Sequence, residues 1–169
     1  MHDASLGEPE YLRVIQSKTA KLFEASARLG ALLAQQSPEI EAACTTYGQA
    51  IGTAFQLIDD VLDYDGASAE MGKNIGDDLR EGKATLPLIA AMQRSSAEDA
   101  AIVRNAIEQG STEALAQVIE IVNTSGALDV ARAAAHAEAQ RAIDAISLLP
   151  DSKYRAGLIQ LAAQLLERR

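Results

Sequence analysis

Three features of the 169-residue sequence predict an all-α fold. Aromatic residues make up only 4% of it, no run alternates β-branched with polar residues, and Ala, Leu, Glu, Gln and Arg fill most windows. With 48% hydrophobic and 23% charged residues the composition is globular, and the length suits one domain, 1–169, with one core.

The elements follow in order. A first helix is expected over about 8–36, where Leu12, Ile15, Thr19, Leu22, Ala25, Leu29 and Leu32 recur at steps of three and four. Ser37-Pro38 ends it, because proline disfavours a helical residue before it and is tolerated in the first turn of a new helix. A second long helix is expected over about 38–64, closed by Asp65-Gly66. From 65 to 83, Gly66, Gly72, Gly76 and Gly82 interleave with charge, which predicts a loop that can act as a lid. Ala84-Thr85-Leu86-Pro87 opens a short helix to about Gln93, and Ser95-Ser96-Ala97-Glu98 has the Ser-x-x-Glu spacing of a capping box. Gly110-Ser111, Thr124-Ser125-Gly126 and Pro150-Asp151 divide the remainder into helices near 97–109, 111–123, 126–148 and 151–167.

Composition also excludes function classes. Fifteen basic against 24 acidic residues leave a formal charge of −9, which disfavours nucleic acid as a partner. The single cysteine, Cys44, cannot form an internal disulfide, and no Cys/His cluster offers a zinc site. A reducing, cytoplasmic location is expected. No segment approaches the ~20 apolar residues needed to span a bilayer, and the acidic start, Met1 to Glu8, does not read as a signal peptide.

Acidic charge is concentrated: between Asp59 and Glu81 stand eight acids and two bases. Asp59, Asp60 and Asp63 occupy positions i, i+1 and i+4, so three carboxylates share one edge near the end of the second helix. Two readings are open, a solvated acidic edge or a cation site. Aspartate is a poor helix former, like charges one turn apart cost roughly 0.2–0.5 kcal/mol per pair, and the C-terminal end of a helix disfavours anions. A divalent cation reverses the sign of the electrostatic terms, and carboxylates without His or Cys select Mg²⁺ or Ca²⁺. An EF-hand is excluded: Gly66 at the sixth loop position would put Val61 and Gly72 where acids are required. Mg²⁺ takes one or two protein carboxylates and completes its shell with water and phosphate, so a phosphate-bearing ligand is expected. Upstream, Gln49, Gly52, Gln56, Asp59, Asp60 and Asp63 form a polar or small stripe facing a cavity or water, and Ile51, Phe55, Ile58 and Leu62 an apolar one facing the core. Gln56 and the pair Lys18-Thr19 have bland readings of their own: a packing amide, a snorkelling lysine and a core threonine.

The run Phe55-Gln56-Leu57-Ile58-Asp59-Asp60-Val61-Leu62-Asp63-Tyr64, then Gly72-Lys73, then Asp77-Asp78-Leu79-Arg80-Glu81-Gly82-Lys83-Ala84-Thr85-Leu86-Pro87, resembles the trans-polyprenyl diphosphate synthases of the octaprenyl and decaprenyl type. Tyr11 to Ile15 followed by Lys18-Thr19-Ala20-Lys21-Leu22-Phe23 is similar to that family's Y-x-x-x-I-x-x-KTA-x-LF segment. The resemblance covers essentially the whole chain and the C-terminal half of the family's fold. It implies the helical C-terminal part of the isoprenoid synthase fold and a Mg²⁺-dependent transferase reaction in isoprenoid biosynthesis. In that reaction an allylic prenyl diphosphate condenses with isopentenyl diphosphate to extend chains such as the ubiquinone side chain. By the same resemblance Asp59, Asp60 and Asp63 hold the metal, Lys73 and Lys83 act with them in catalysis, and Lys18, Thr19, Gln56, Lys73 and Lys83 contact the allylic diphosphate. The family's first aspartate-rich motif, the arginine pair after it and the isopentenyl diphosphate site have no counterpart in these residues. The resemblance therefore implies half an active site, inactive alone, in a homodimer or in partnership with the missing N-terminal half. A non-catalytic helical interaction subunit of a heteromeric synthase is the alternative. A terpene cyclase is opposed by the GK-x-TLP run.

Overall fold

The computed structural model describes residues 2–65, 76–111 and 113–168. Among them every regular element is a helix: α1 (Glu8–Ile15), a π turn (Gln16–Ala20), α2 (Lys21–Leu33), α3 (Pro38–Leu62), α4 (Asp77–Arg80), α5 (Leu86–Arg94), α6 (Ala97–Gln109), α7 (Leu115–Thr124), α8 (Ala127–Ala145), a 3₁₀ turn (Ile146–Leu148) and α9 (Lys153–Leu166). The expected boundaries hold within a few residues because their signals are local. Pro38 opens α3, and Thr85, in extended backbone, precedes α5 with Pro87 in its first turn. Gly110 closes α6 in the left-handed region, φ +58°. One cap is shifted by a residue from the expected box: Ser96, not Ser95, accepts the Asp99 backbone N–H at 3.1 Å.

The chain divides into two compact bodies, 1–11 with 59–133, and 12–58 with 134–168. In the first, α5, α6 and α7 pack on one another and α4 packs on α6. Its core is built of Val61, Leu79, Leu86, Leu88, Val103, Ile107, Val118 and Val122, each with at most 1% of its surface exposed. Burying a side chain of this size contributes roughly 1.5–3 kcal/mol. Gly76 enters α4 at φ +82°, and a Cβ there would come within 2.4 Å of Leu115, so both backbone and space demand glycine.

The second body has a core of smaller side chains: Tyr47, Ala50, Ile51, Ala54, Ala142, Ile146, Ala162 and Leu165. The Tyr47 hydroxyl donates to the Leu158 carbonyl at 2.9 Å. Helix–helix approach is correspondingly close. A Cβ on Gly52 would stand 2.5 Å from Ala20 Cα, and one on Gly48 2.4 Å from the Phe23 carbonyl oxygen.

That closeness corrects two sequence expectations. The helix expected over 8–36 holds a π turn at 16–20, and its buried stripe is Tyr11, Ile15, Ala20 and Ala31, whereas Leu22, Leu29 and Leu32 are exposed. The step of five from Ile15 to Ala20 is the extra residue of a π turn, which keeps the small face of α2 turned inward. Gly52 likewise faces a neighbouring backbone and not a cavity. The apolar stripe of α3 is buried at Ile51, Ile58 and Leu62, while Phe55 is half-buried beneath the Arg168 guanidinium, 4.8 Å from the ring centre.

Candidate functional site

In the first body the three aspartates at the end of α3 occupy three different environments. Asp59 is half-buried on the last full turn. Asp60 is only 3% exposed and accepts a 2.6 Å hydrogen bond from the Tyr11 hydroxyl through Oδ2. Such short bonds to an ionised acceptor are the strong ones. Asp63 lies just beyond the helix, where its carboxylate accepts the backbone N–H groups of Asp77 and Asp78 at 3.2 and 3.1 Å, and its carbonyl accepts that of Gly76 at 3.1 Å. It thereby caps α4 and ties the far side of the 66–75 interval to α3.

This cap is made by an acid under stress. Burial first, and then the Asp78 carboxylate, push Asp63 up to about 6, although the two backbone N–H groups act in the opposite direction. Lys83 answers part of the acidity: its Nζ lies 2.9 Å from Asp78 Oδ1 and 2.7 Å from Glu81 Oε2. Burial works against its charge, but the hydrogen bonds to Glu81 and Asp78 outweigh that and hold the ammonium well above its ordinary range. Asp65, at the head of the interval, pairs with Arg132, and Asp77 with Arg80.

Among the described residues no three His, Cys, Asp or Glu side chains are gathered closely enough to enclose a metal ion by themselves. The oxygen donors present at this corner, without His or Cys, are of the kind that hard divalent cations take.

The other residues singled out from the sequence lie in the second body. Lys18 and Thr19 sit inside the π turn, Lys18 exposed and Thr19 half-buried. The Thr19 hydroxyl donates to Gln56 Oε1 at 2.8 Å, so the amide is oriented by a neighbouring helix and not left loose. A π turn interrupting a helix is frequent at functional sites, since the extra residue re-aims the side chains around it. Lys73 lies outside the described residues, as does most of the segment expected to form a lid. Two participants were not singled out from the sequence. Asp78 partners Lys83, and Tyr11 serves Asp60; both stand within the family-like segments, which assigned them no role.

Comparison with known proteins gives the family of the chain. The family model described as Polyprenyl synthetase matches residues 1–124. Octaprenyl diphosphate synthase of Haemophilus influenzae is 48% identical over 163 residues, which is 96% of this chain and 50% of that protein. All-trans-nonaprenyl-diphosphate synthase of Rhodobacter capsulatus is 45% identical over 99% of this chain and 51% of its own length. Among solved structures, the polyprenyl synthase of Caulobacter crescentus, complexed with calcium and isoprenyl diphosphate, superposes with a TM-score of 0.92 at 42% identity. It is covered to 52% by 99% of this chain. A decaprenyl diphosphate synthase from Rhodobacter capsulatus superposes with a TM-score of 0.91 at 38% identity. The chain thus spans about half the length of the relatives it matches. With a family model matched over residues 1–124 and relatives 48% and 45% identical across almost all of its length, this chain belongs to the polyprenyl synthetase family.

Proposed function

We propose that this chain is one half of a polyprenyl diphosphate synthase, the half that holds an allylic prenyl diphosphate through Mg²⁺. The observation that carries the reading is the acidic corner of the first body. There Asp63, pushed up to about 6 by burial and Asp78, and the buried Asp60 concentrate negative charge that a divalent cation relieves. In the reaction the carbon–oxygen bond at C1 of the allylic substrate breaks and its electron pair leaves with the diphosphate. C1 bonds to the terminal alkene carbon, C4, of isopentenyl diphosphate, which leaves a cation at C3, and loss of a proton from C2 forms the new C2–C3 double bond. When bound, Mg²⁺ supplies charge stabilisation of the departing diphosphate. Asp59, Asp60 and Asp63 hold the cation directly or through water. Lys83, released from Asp78 and Glu81 as phosphate oxygens replace those carboxylates, neutralises the leaving group from the first body, with Lys73 in the same role. Lys18, Thr19 and Gln56 are the allylic diphosphate contacts of the second body, Thr19 fixing the Gln56 amide.

The second substrate pocket belongs to the half of the fold that the relatives possess in addition, so the isolated chain is expected to bind and not to turn over. Thermal denaturation tests the binding. Mg²⁺ with inorganic pyrophosphate is expected to raise the melting temperature more than either alone, because ligands that bind only the folded state stabilise it. Asp59→Ala is expected to abolish that synergy while leaving the apo chain as stable or slightly more so, since it removes a like charge and inserts a better helix former. Retention of the full synergy in Asp59→Ala would reduce the aspartates to surface charge.

A further inference from the structure

Tyr11 is the one member of the acidic corner that comes from the start of the chain, and nothing in the proposed reaction uses it. Its ring is buried, with 3% of its surface exposed, and its hydroxyl donates to Asp60 Oδ2 at 2.6 Å. One hydroxyl therefore joins α1 to the acidic end of α3 across 49 residues of sequence.

We propose that Tyr11 is a positioning residue, whose phenol fixes the orientation of the Asp60 carboxylate and thereby sets the affinity of the acidic corner for a divalent cation with diphosphate. The inference rests on the reading of Asp60 as part of a cation site and adds to it a residue outside the aspartate-rich run. The physical argument concerns orientation. A carboxylate on two rotatable bonds samples several directions, and a short bond from a rigid, buried ring selects one. The ring itself is confined by the packing that buries it. Partners of metal-ligand side chains, when removed, typically cost 10- to 100-fold in metal affinity even though they never touch the ion.

The experiment is calorimetric titration of the full 169-residue chain with Mg²⁺ and inorganic pyrophosphate, comparing the unaltered chain, Tyr11→Phe, Asp60→Asn and the double variant. Tyr11→Phe keeps the ring and removes only the hydroxyl. It is expected to weaken binding roughly tenfold or more, and to weaken it no further once Asp60 is already Asn. Unchanged affinity in Tyr11→Phe, or an equal loss in both backgrounds, would make the ring a packing element and overturn the proposal while leaving the cation site standing. If the unaltered chain fails to bind Mg²⁺ with pyrophosphate, the cation site itself falls and this inference with it. Should a substitution abolish folding or binding outright, 3-fluorotyrosine placed at position 11 decides, since it retains the hydroxyl. Its ¹⁹F resonance is expected to shift when Mg²⁺ and pyrophosphate are added together, and a resonance that stays put refutes the coupling.

Discussion

The two bodies solve the problem of burial differently. In the first, Leu79, Leu86, Leu88 and Ile107 are closed off completely, and even the charged groups at its acidic corner are tied to backbone or to counter-ions. In the second, helices approach closely on an Ala- and Gly-lined side, yet Val14, Leu22, Leu29, Leu32, Leu33, Leu148, Tyr154 and Leu161 stand exposed, three of them, Leu22, Leu33 and Tyr154, at 74–77%. Every large apolar side chain that is exposed among the described residues belongs to this second body. The first therefore behaves as a finished core. The second buries one face of its helices and presents the other, the arrangement of a layer that awaits a covering layer. The relatives described above carry about as much chain again.

The largest effect that would sharpen this contrast is complementation. Adding the N-terminal half of a related synthase as a separate chain is expected to cover the exposed leucines and to give elongation of an allylic diphosphate that is not expected of this chain by itself. Product formation and a fall in hydrophobic-dye fluorescence report it. Bright dye and no product with the two chains mixed would break the comparison, and sedimentation as a dimer of this chain alone would assign the cover to a second copy instead.

Next in size is the close face of the second body. Gly52→Val is expected to cost about 2–3 kcal/mol in urea denaturation, because its Cβ would press on the Ala20 backbone, which cannot yield as a flexible side chain does. Gly30, on α2 with nothing within 4 Å of a built Cβ, supplies the control: Gly30→Ala is expected to stabilise by about 0.5–1 kcal/mol. Equal effects at the two glycines would mean that the approach of the helices is looser than described.

The acidic corner gives a smaller, pH-dependent effect. Asp63 titrates in the folded chain at about 6, above its ordinary 3.8, so the folded chain binds that proton more tightly than the unfolded one. Its contribution to stability is fully present below pH 4 and is lost as the pH rises through 6. The unaltered chain is therefore expected to gain on Asp63→Asn as the pH falls from 7 to 4, by about 1 kcal/mol once solvent screening of this half-exposed group is allowed for. A change of the opposite sign would mean that the two backbone N–H groups outweigh burial and Asp78. Smallest of all is Leu33→Gln, expected to alter the stability of the isolated chain by less than about 0.5 kcal/mol, because Leu33 is already in water.

Helix boundaries were legible in the residues because their causes are local: proline at 38, serine before α6, glycine at 110. The aspartate-rich edge was legible for the same reason, since i, i+1 and i+4 place side chains on one edge of any helix. What each of those acids does was not legible. Asp60 and Asp63 occur three residues apart in one motif, yet one is held by a tyrosine 49 residues away and the other caps a turn 14 and 15 residues on.

The sequence by itself determined the helical class, the places where helices begin and end, and the family, because propensity, capping and motif spacing act over a few residues. Only the tertiary structure decided which side of α2 is inner, why a π turn interrupts the helix at Lys18 and Thr19, and that Tyr11 is joined to Asp60. An apolar stripe read from spacing assumes an unbroken helix and a neighbour that wants bulk. Here the neighbour presents Gly48 and Gly52, so small residues go in and leucines stay out. That choice depends on the distance between two backbones, a quantity that no window of one helix contains.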